Sequence, residues 1–312
     1  MTVHVPILVE PIVSALIEPL RTVPETSPPQ WIADCTFGGG GHTGAILQAL
    51  SQDPLLARHK VISFDQDLSA IERGRERFAS EISQGRLELV HSRFGEADQY
   101  LKGRPVMGLM ADLGFSSDQI EDSERGLSFL REGPLDMRLD PSRGQSAREF
   151  LAKAGEKEIA DLIYELGEER FSRRIASAIV DARRQGKLPT TTTGLADLIS
   201  RSVPPPARHG RIHAATRTFQ ALRIWVNQEL EELDCLLNRV ILEVKTGGRV
   251  AILSFHSLED RKVKLAFKGP QRKDEPEGPF RPLTKKPQEA DEEEIRRNPR
   301  SRSAKLRIAE RT

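Results

Sequence analysis

Apolar residues along this chain fall into two patterns. Short runs rich in Val, Ile, Leu and Phe indicate strands, and apolar positions at steps of three and four indicate helices. Four short runs lie in the first third: Trp31–Cys35, Lys60–Asp65, Arg86–His91 and Val106–Asp112, with helix-like stretches between most of them. That alternation predicts βαβ units and a parallel sheet. A fifth run, Arg249–His256, and a sixth, Ala304–Glu310, return late strands to the same sheet. Before the fifth, Phe219, Leu222, Val226, Leu230, Leu233, Leu237, Val240 and Val244 recur at helical spacing and predict one long helix, stopped by Gly247-Gly248. A coiled coil carries the same stripe, but the strand-like run after the glycines favours a helix packed on a sheet.

From about Ser123 to Thr216 strand patterns give way to helices and loops, with helical patterns over Glu156–Leu166, Glu168–Arg184 and Leu195–Arg201. The edges are soft: Arg131–Gln145 is rich in Gly, Pro and charge, and Val203-Pro204-Pro205-Pro206 is unsuited to a helix interior. The expected organisation is a sheet domain made of residues 1–122 and 217–312, interrupted by a helical domain of residues 123–216. Residues 268–303, with many prolines and the acidic run Asp291–Glu294, read as a solvated, partly mobile excursion before the last strand.

Composition narrows the classes. Of 312 residues 38% are hydrophobic and 30% charged, with 47 Lys plus Arg against 46 Asp plus Glu, a globular balance that excludes fibrous and disordered chains. A net charge of +1 argues against indiscriminate nucleic-acid binding. Cys35 and Cys235 stand far apart and no Cys/His cluster has zinc-ligand spacing, so neither a disulfide frame nor a metal is expected. Glu10, Glu18, Pro6, Pro11 and Pro19 interrupt the apolar N-terminal stretch, and no basic segment precedes it, so no signal peptide is expected. No apolar run reaches the roughly 18–20 residues of a membrane span. A cytoplasmic protein is expected.

The strongest chemical signal follows the first strand: Asp34-Cys35-Thr36-Phe37-Gly38-Gly39-Gly40-Gly41-His42-Thr43-Gly44, and then the start of a helix. Glycines permit positive φ and close backbone approach to a ligand, and a helix N-terminus offers free N–H donors. Gly39, Gly41 and Gly44 formally satisfy G-x-G-x-x-G, so a nicotinamide dinucleotide is one candidate ligand. The second strand ends in Asp65, placed to bind ribose hydroxyls of either NAD or S-adenosylmethionine. The fourth ends Met110-Ala111-Asp112-Leu113-Gly114-Phe115, putting Asp112 at the sheet edge where open α/β folds bind ligands. There Asp112 faces a cationic cofactor, accepts from a nucleophilic amine, or simply caps a helix. The acid-free stretch Leu198–Gln228 carries Arg201, Arg208, Arg211, Arg217, Arg223, His209 and His213 and is a candidate phosphate-binding surface. Arg296, Arg297, Arg300, Arg302, Lys305 and Arg307 form a second, weaker one, and His256, after the fifth strand, is either a base contact or a buried structural histidine.

Several segments together resemble the RsmH (MraW) family, bacterial methyltransferases acting on the N4 of a cytidine in small-subunit ribosomal RNA. They span nearly the whole chain: His4-Val5-Pro6-Ile7-Leu8, Thr36–His42, Asp112–Ser117, Glu124–Phe129, Gly133–Arg138, Gly144–Ala147, Gly167–Phe171, Ala215–Ala221, Ser254–Arg261 and Asn298-Pro299-Arg300. The resemblance implies an α/β class I methyltransferase (Rossmann-like) fold, a mostly parallel seven-stranded sheet with one antiparallel strand and an inserted helical domain, here assigned to RNA-substrate recognition. It further implies S-adenosylmethionine as cofactor, with Gly40, Gly41, His42, Asp65, Phe94, Asp112 and Gln119 lining its site. The expected partner is 16S ribosomal RNA within the small (30S) subunit; a homodimer is a further candidate assembly.

Two departures from the wider methyltransferase class stand out. Three residues, Cys35, Thr36 and Phe37, separate Asp34 from the first glycine, and the fourth strand lacks the D/N/S-P-P-aromatic motif of many amino-methyltransferases. Asp112-Leu113-Gly114 occupies that motif's place, which makes Asp112 the candidate catalytic residue, orienting the amine with the carbonyls of Leu113 and Gly114. Methylation at cytosine C5 requires a cysteine nucleophile; Cys35, inside the glycine loop, and Cys235, on the long helix, are both poorly placed for that. A base to be methylated must be unstacked, so the expected substrate is a loop or single-stranded RNA segment held between the two domains. The alternatives are an NAD-dependent oxidoreductase and a non-catalytic ribosome-assembly factor.

Overall fold

The chain's six apolar runs and one short further strand, β6, pair side by side into one seven-stranded sheet: β1 (Trp31–Asp34), β2 (Lys60–Asp65), β3 (Leu87–His91), β4 (Val106–Asp112), β5 (Val244–Ser254), β6 (Phe280–Pro282) and β7 (Lys305–Arg311). This is a computed structural model, describing residues 6–115, 119–120, 122–208, 212–268 and 278–312. The order is β3-β2-β1-β4-β5-β7-β6. Neighbours from β3 through β5 are parallel, and β7 runs antiparallel to both β5 and β6. The inner strands are buried on both faces, as a helix-covered parallel sheet requires, with Ile32, Ile62, Phe64, Leu109 and Ile252 completely shielded from solvent.

Helices α1 (Val9–Ile17), α2 (Gly41–Gln52) and α3 (Leu68–Arg77) belong to the same body. Helix α1 was not evident in the sequence because prolines and acids break its apolar pattern. It lies close against β4 at Gly108, where an added Cβ would come within 3.3 Å of the Leu16 side chain and carbonyl oxygen.

The chain forms two compact units, residues 1–116 with 230–312, and residues 117–229. The sequence pattern put the boundaries at 122/123 and 216/217. The difference arises mainly because the helix Thr216–Asn227 packs with the helical unit: Gly167 approaches the Arg217 carbonyl so closely that a Cβ would stand 2.5 Å from it, and Gln220 Nε2 donates to Leu166 O at 3.3 Å. Helices Ala147–Lys153, Glu156–Gly167, Ser172–Arg184 and Thr192–Ser202 complete this unit, around a core that includes Phe150, Ile163, Ile179, Ile199 and Phe219. Within it Asn227 accepts from Leu139 N–H and donates to the Met137 carbonyl, both at 2.9 Å, bracing the chain where Met137 adopts φ 66°.

The expected single long helix is divided. Helical structure ends at Asn227, resumes over Glu229–Asn238 and continues as a 3-10 turn, Val240–Glu243; Gln228 between the first two has φ 54°. Strand β5 begins at Val244 and runs through Gly247-Gly248, so these glycines do not cap a helix. They absorb a register shift, since Val106 pairs with Val244 but Gly108 with Arg249. Of residues 268–303, those from 269 to 277 lie outside the described residues, and the rest hold more structure than expected: β6, the helix Glu292–Arg297 and a 3-10 turn at Pro299–Ser303. Of the residues noted in the sequence, His4, Val5, Ser116, Ser117, His209 and Arg211 lie outside the described residues.

Candidate active site

The strand order reverses direction at β1, whose neighbours are β2 and β4, and the crevice beyond the carboxyl ends of these strands is where such sheets bind ligands. Three aspartates stand there: Asp34 on β1, Asp65 on β2 and Asp112 on β4. The loop after β1 is tied to both flanking strands. On the β2 side Phe37 N–H donates to the Phe64 carbonyl and Gly38 N–H to Asp65 Oδ2, both at 2.7 Å. On the β4 side Cys35 N–H donates to the Met110 carbonyl at 2.9 Å, and Asp112 N–H donates to Thr36 Oγ1 at 2.7 Å.

Asp34 is completely buried. Its Oδ1 accepts from Thr36 N–H at 3.0 Å and its Oδ2 from the Thr43 hydroxyl at 2.7 Å. Thr43 donates its only hydroxyl proton to Asp34, so Ser63, 2.8 Å away, donates to Thr43. Burial raises the Asp34 pKa, against the hydrogen bonds from Thr43 and Thr36 and the attraction of His42. This Asp–Thr–Ser chain, joining β1, α2 and β2 beneath the loop, has no local sequence signal beyond an acid before a glycine run.

Asp65 is 9% exposed and accepts from Gly38 N–H through Oδ2 and from Asp67 N–H through Oδ1, at 2.7 and 2.8 Å. Burial pushes its carboxyl up to about 6, although both hydrogen bonds favour the charged form. Its carbonyl accepts from Ser92 N–H at 3.0 Å, which joins β2 to the segment carrying Phe94. Phe94, half-buried, opens a 3-10 turn held by the distant helix Glu229–Asn238 and the residue after it: Glu232 accepts from Gly95 N–H at 3.0 Å and pairs with Arg93 at 3.1 Å, and Arg239 donates to the Gly95 carbonyl at 2.7 Å.

Two loop glycines are required by the protein's own packing. Gly40 has φ +72°, and a Cβ there would lie 2.8 Å from the rings of both Phe37 and Phe78; a Cβ on Gly41 would lie 2.9 Å from Pro6. Gly44 differs, since its Cβ would make ordinary contact at 3.4 Å with Phe78. The third glycine of the formal G-x-G-x-x-G match is therefore not sterically demanded, and the dinucleotide fingerprint loses the helix–strand contact that normally requires it.

His42, in the first turn of α2, is 5% exposed. Its Nε2 lies 2.9 Å from the Ile7 carbonyl, an acceptor, so Nε2 carries the proton; Nδ1 stands 3.8 Å from Asp112 Oδ2. Asp112 Oδ1 accepts from Gly114 N–H at 2.9 Å, a tight turn that depends on Gly114, whose Cβ would clash with Phe255 at 2.5 Å. Burial, and secondarily the Asp34 charge, pushes the Cys35 thiol well above its ordinary range, which removes it as a thiolate nucleophile. Gln119 is buried and belongs to the second unit.

His256 is held structurally. It caps the helix Ser257–Ala266, Nδ1 accepting from Glu259 N–H at 3.3 Å, while Glu259 Oε2 accepts from Phe255 N–H at 2.8 Å. Among the second basic cluster Arg307 pairs with Asp260 at 2.7 Å and Arg297 with Glu293 at 3.2 Å. Among the described residues no helix is long and apolar enough to cross a membrane.

A mostly parallel sheet of this order, with β7 reversed, a glycine loop after β1 and acids ending β2 and β4, has the class I methyltransferase fold. Residues 1–312 match the MraW methylase family, and the chain belongs to it. It is 43% identical over 319 residues to the ribosomal RNA small subunit methyltransferase H of Polynucleobacter asymbioticus, covering 98% of this chain and 96% of that protein. The proteins of the same name from a Synechococcus strain and from Sorangium cellulosum are 45% and 46% identical, over 89% of this chain and 85% and 84% of theirs.

Proposed function

We propose that this protein transfers a methyl group from S-adenosylmethionine to the N4 amine of one cytidine in 16S ribosomal RNA of the small (30S) subunit, in the cytoplasm. The observation that carries this reading is that Asp65 and Asp112, at the ends of β2 and β4, are each hydrogen-bonded to the loop between them, Asp65 through Gly38 and Asp112 through Thr36. The name of the relatives supports the RNA class, and the family resemblance of the sequence supports the cytidine amine.

The residues suit the proposed cofactor. Asp65, charged above about pH 6, accepts from ribose hydroxyls, and its two N–H donors keep it aimed. Phe94 offers an apolar face, and the first turn of α2 offers N–H groups to an anionic carboxylate. Gly40, Gly41 and His42 shape the loop; the family resemblance of the sequence adds Gln119 as a cofactor contact. Bound there, S-adenosylmethionine supplies a sulfonium methyl already activated for in-line displacement.

A cytosine amine is a weak nucleophile because its lone pair is delocalised into the ring. The protein's contribution is then positioning and electrostatics. Asp112 Oδ1 is fixed by Gly114 N–H, which leaves Oδ2 to accept from the amine, orient its lone pair and take the excess proton. His42 Nε2, bonded to the Ile7 carbonyl, holds the ring so that Nδ1 stands 3.8 Å from that oxygen. The buried, high-pKa Cys35 fits an amine acceptor and not C5 attack.

Isothermal titration with S-adenosylmethionine and with NAD separates the cofactors: binding of the first alone is expected, and binding of NAD alone would refute the reading. Binding of S-adenosylmethionine with no methyl transfer to unmodified small subunits would instead indicate a non-catalytic assembly factor. Sedimentation of the free protein distinguishes the candidate homodimer from a monomer.

A further inference from the structure

Among the described residues, three cations of the acid-free stretch are held by partners close in the sequence. Arg223 pairs with Glu229 at 2.9 Å, Arg208 donates to the carbonyls of Val203 and Arg201, both at 3.1 Å, and Arg201 donates to the Asp197 carbonyl at 3.2 Å. Arg217 and His213 remain exposed, and with Arg170 they line a cleft of about 390 Å³ inside the helical unit. That volume lies in the roughly 300–1,000 Å³ range of small-ligand sites.

The cleft combines three kinds of surface. Phe171, Val203, Ala207 and Ala214 make an apolar wall. Arg170 lies over the Phe171 ring, 4.7 Å from its centroid, and the His213 ring stacks on Phe129 at 4.8 Å with Nδ1 accepting from Ala215 N–H, so both groups are held in place. The third is a carboxylate. Glu169 is 6% exposed; its Oε1 accepts from Phe171 N–H at 2.8 Å, whereas Oε2 stands 3.9 Å from Arg217 Nη1, too far for a hydrogen bond. A carboxylate so buried gains from a neutral N–H donor, which a nucleobase edge supplies. An acidic peptide would meet the arginines well but would place like charge against Glu169. An apolar wall, a buried acceptor and cations at the rim match one nucleotide: base face, base N–H edge and phosphate.

We propose that this cleft holds one unstacked nucleotide of the RNA substrate, separate from the methylated cytidine, with its base on the Phe171 and Val203 wall, its N–H edge on Glu169 and its phosphate at Arg170 and Arg217. The proposal rests on the reading of the chain as an RNA methyltransferase. It makes the cleft a second, sequence-sensitive grip on the RNA.

The test is steady-state methylation of unmodified small ribosomal subunits by the full chain at saturating S-adenosylmethionine, comparing wild type with Arg170→Ala, Glu169→Gln and the cleft-filling Ala207→Trp. The expected result is a KM for the subunit raised about tenfold in each, with kcat and cofactor affinity held. For Arg170→Ala the slope of log KM against log salt should also fall by about one, as loss of one phosphate contact requires. Arg170 is exposed, so its replacement does not threaten the fold, and thermal unfolding identifies any failure of the tryptophan variant. An unchanged KM in Arg170→Ala and Glu169→Gln, with active wild type, overturns the cleft proposal alone. Arg170→Ala binding protein-free small-subunit RNA normally but the assembled subunit weakly assigns the cleft to a ribosomal protein and overturns it too. Wild type that methylates no RNA overturns the cleft and the parent reading together.

Discussion

Asp112 ends β4 and His42 lies in the first turn of α2, yet Asp112 Oδ2 lies 3.8 Å from His42 Nδ1 while each residue is anchored by its other polar atom, Asp112 Oδ1 to Gly114 N–H and His42 Nε2 to the Ile7 carbonyl. The anchors leave Asp112 Oδ2 and His42 Nδ1 as the two polar atoms that face each other. Replacing Asp112 with Asn preserves the Gly114 contact and removes the charge. We expect kcat to fall about 100-fold or more, the scale of losing one preorganised electrostatic contact, with the protein still folded. Single-turnover methyl transfer measures it, and near wild-type turnover would remove Asp112 from the chemistry.

Asp65 gives a pH dependence with a definite sign. Its folded pKa of about 6 lies above its ordinary 3.8, so the folded state holds the proton more tightly than the unfolded chain. Its favourable contribution is complete below 3.8 and is lost as pH rises through about 6. Unfolding titrations of wild type and Asp65→Asn across that window should show wild type losing stability relative to the variant. Cofactor affinity should run the opposite way, weakening below about pH 6 as the carboxylate that receives the ribose hydroxyls is protonated.

Glycine substitutions separate packing from ligand approach. Gly40→Ala forces a side chain to φ +72° and into the Phe37 and Phe78 rings. It should cost about 1–3 kcal/mol and weaken cofactor binding. Gly44→Ala should be nearly neutral in both, because its Cβ has ordinary room. Denaturant unfolding and cofactor titration of the pair provide the comparison; equal damage at the two positions would contradict the loop geometry described above.

Thr43 connects two buried oxygens. Thr43→Val keeps the shape but leaves the Asp34 carboxylate and the Ser63 hydroxyl without that partner. A loss of about 1–3 kcal/mol is expected. In the Asp34→Asn background the same substitution should cost clearly less, a coupling that a double-mutant cycle reads directly.

How much of this was legible in the chain follows from which forces are local. Runs such as Lys60–Asp65 and Val106–Asp112 became β2 and β4 because a sheet buried on both faces needs continuous apolar strands. β6 has only three residues, two of them exposed and one proline, and so carries no such pattern. The apolar period runs unbroken across Gln228, so nothing in it marks the turn where the left-handed backbone divides the helix. The glycine loop and the acids of β2 and β4 announce themselves by composition and spacing. Their connections through Thr36, Thr43 and Ser63 arise only when the strands pair, since Asp112 and Thr36 are 76 positions apart.

The measurement that bears most directly on the central claim is methyl transfer with isotope-labelled S-adenosylmethionine and unmodified small ribosomal subunits, followed by digestion of the RNA and mass spectrometry of the labelled nucleoside. The account predicts label in N4-methylcytidine from 16S RNA and its loss with Asp112→Asn. Label in 5-methylcytidine, in another nucleoside or in none, from protein shown to bind the cofactor, would contradict it.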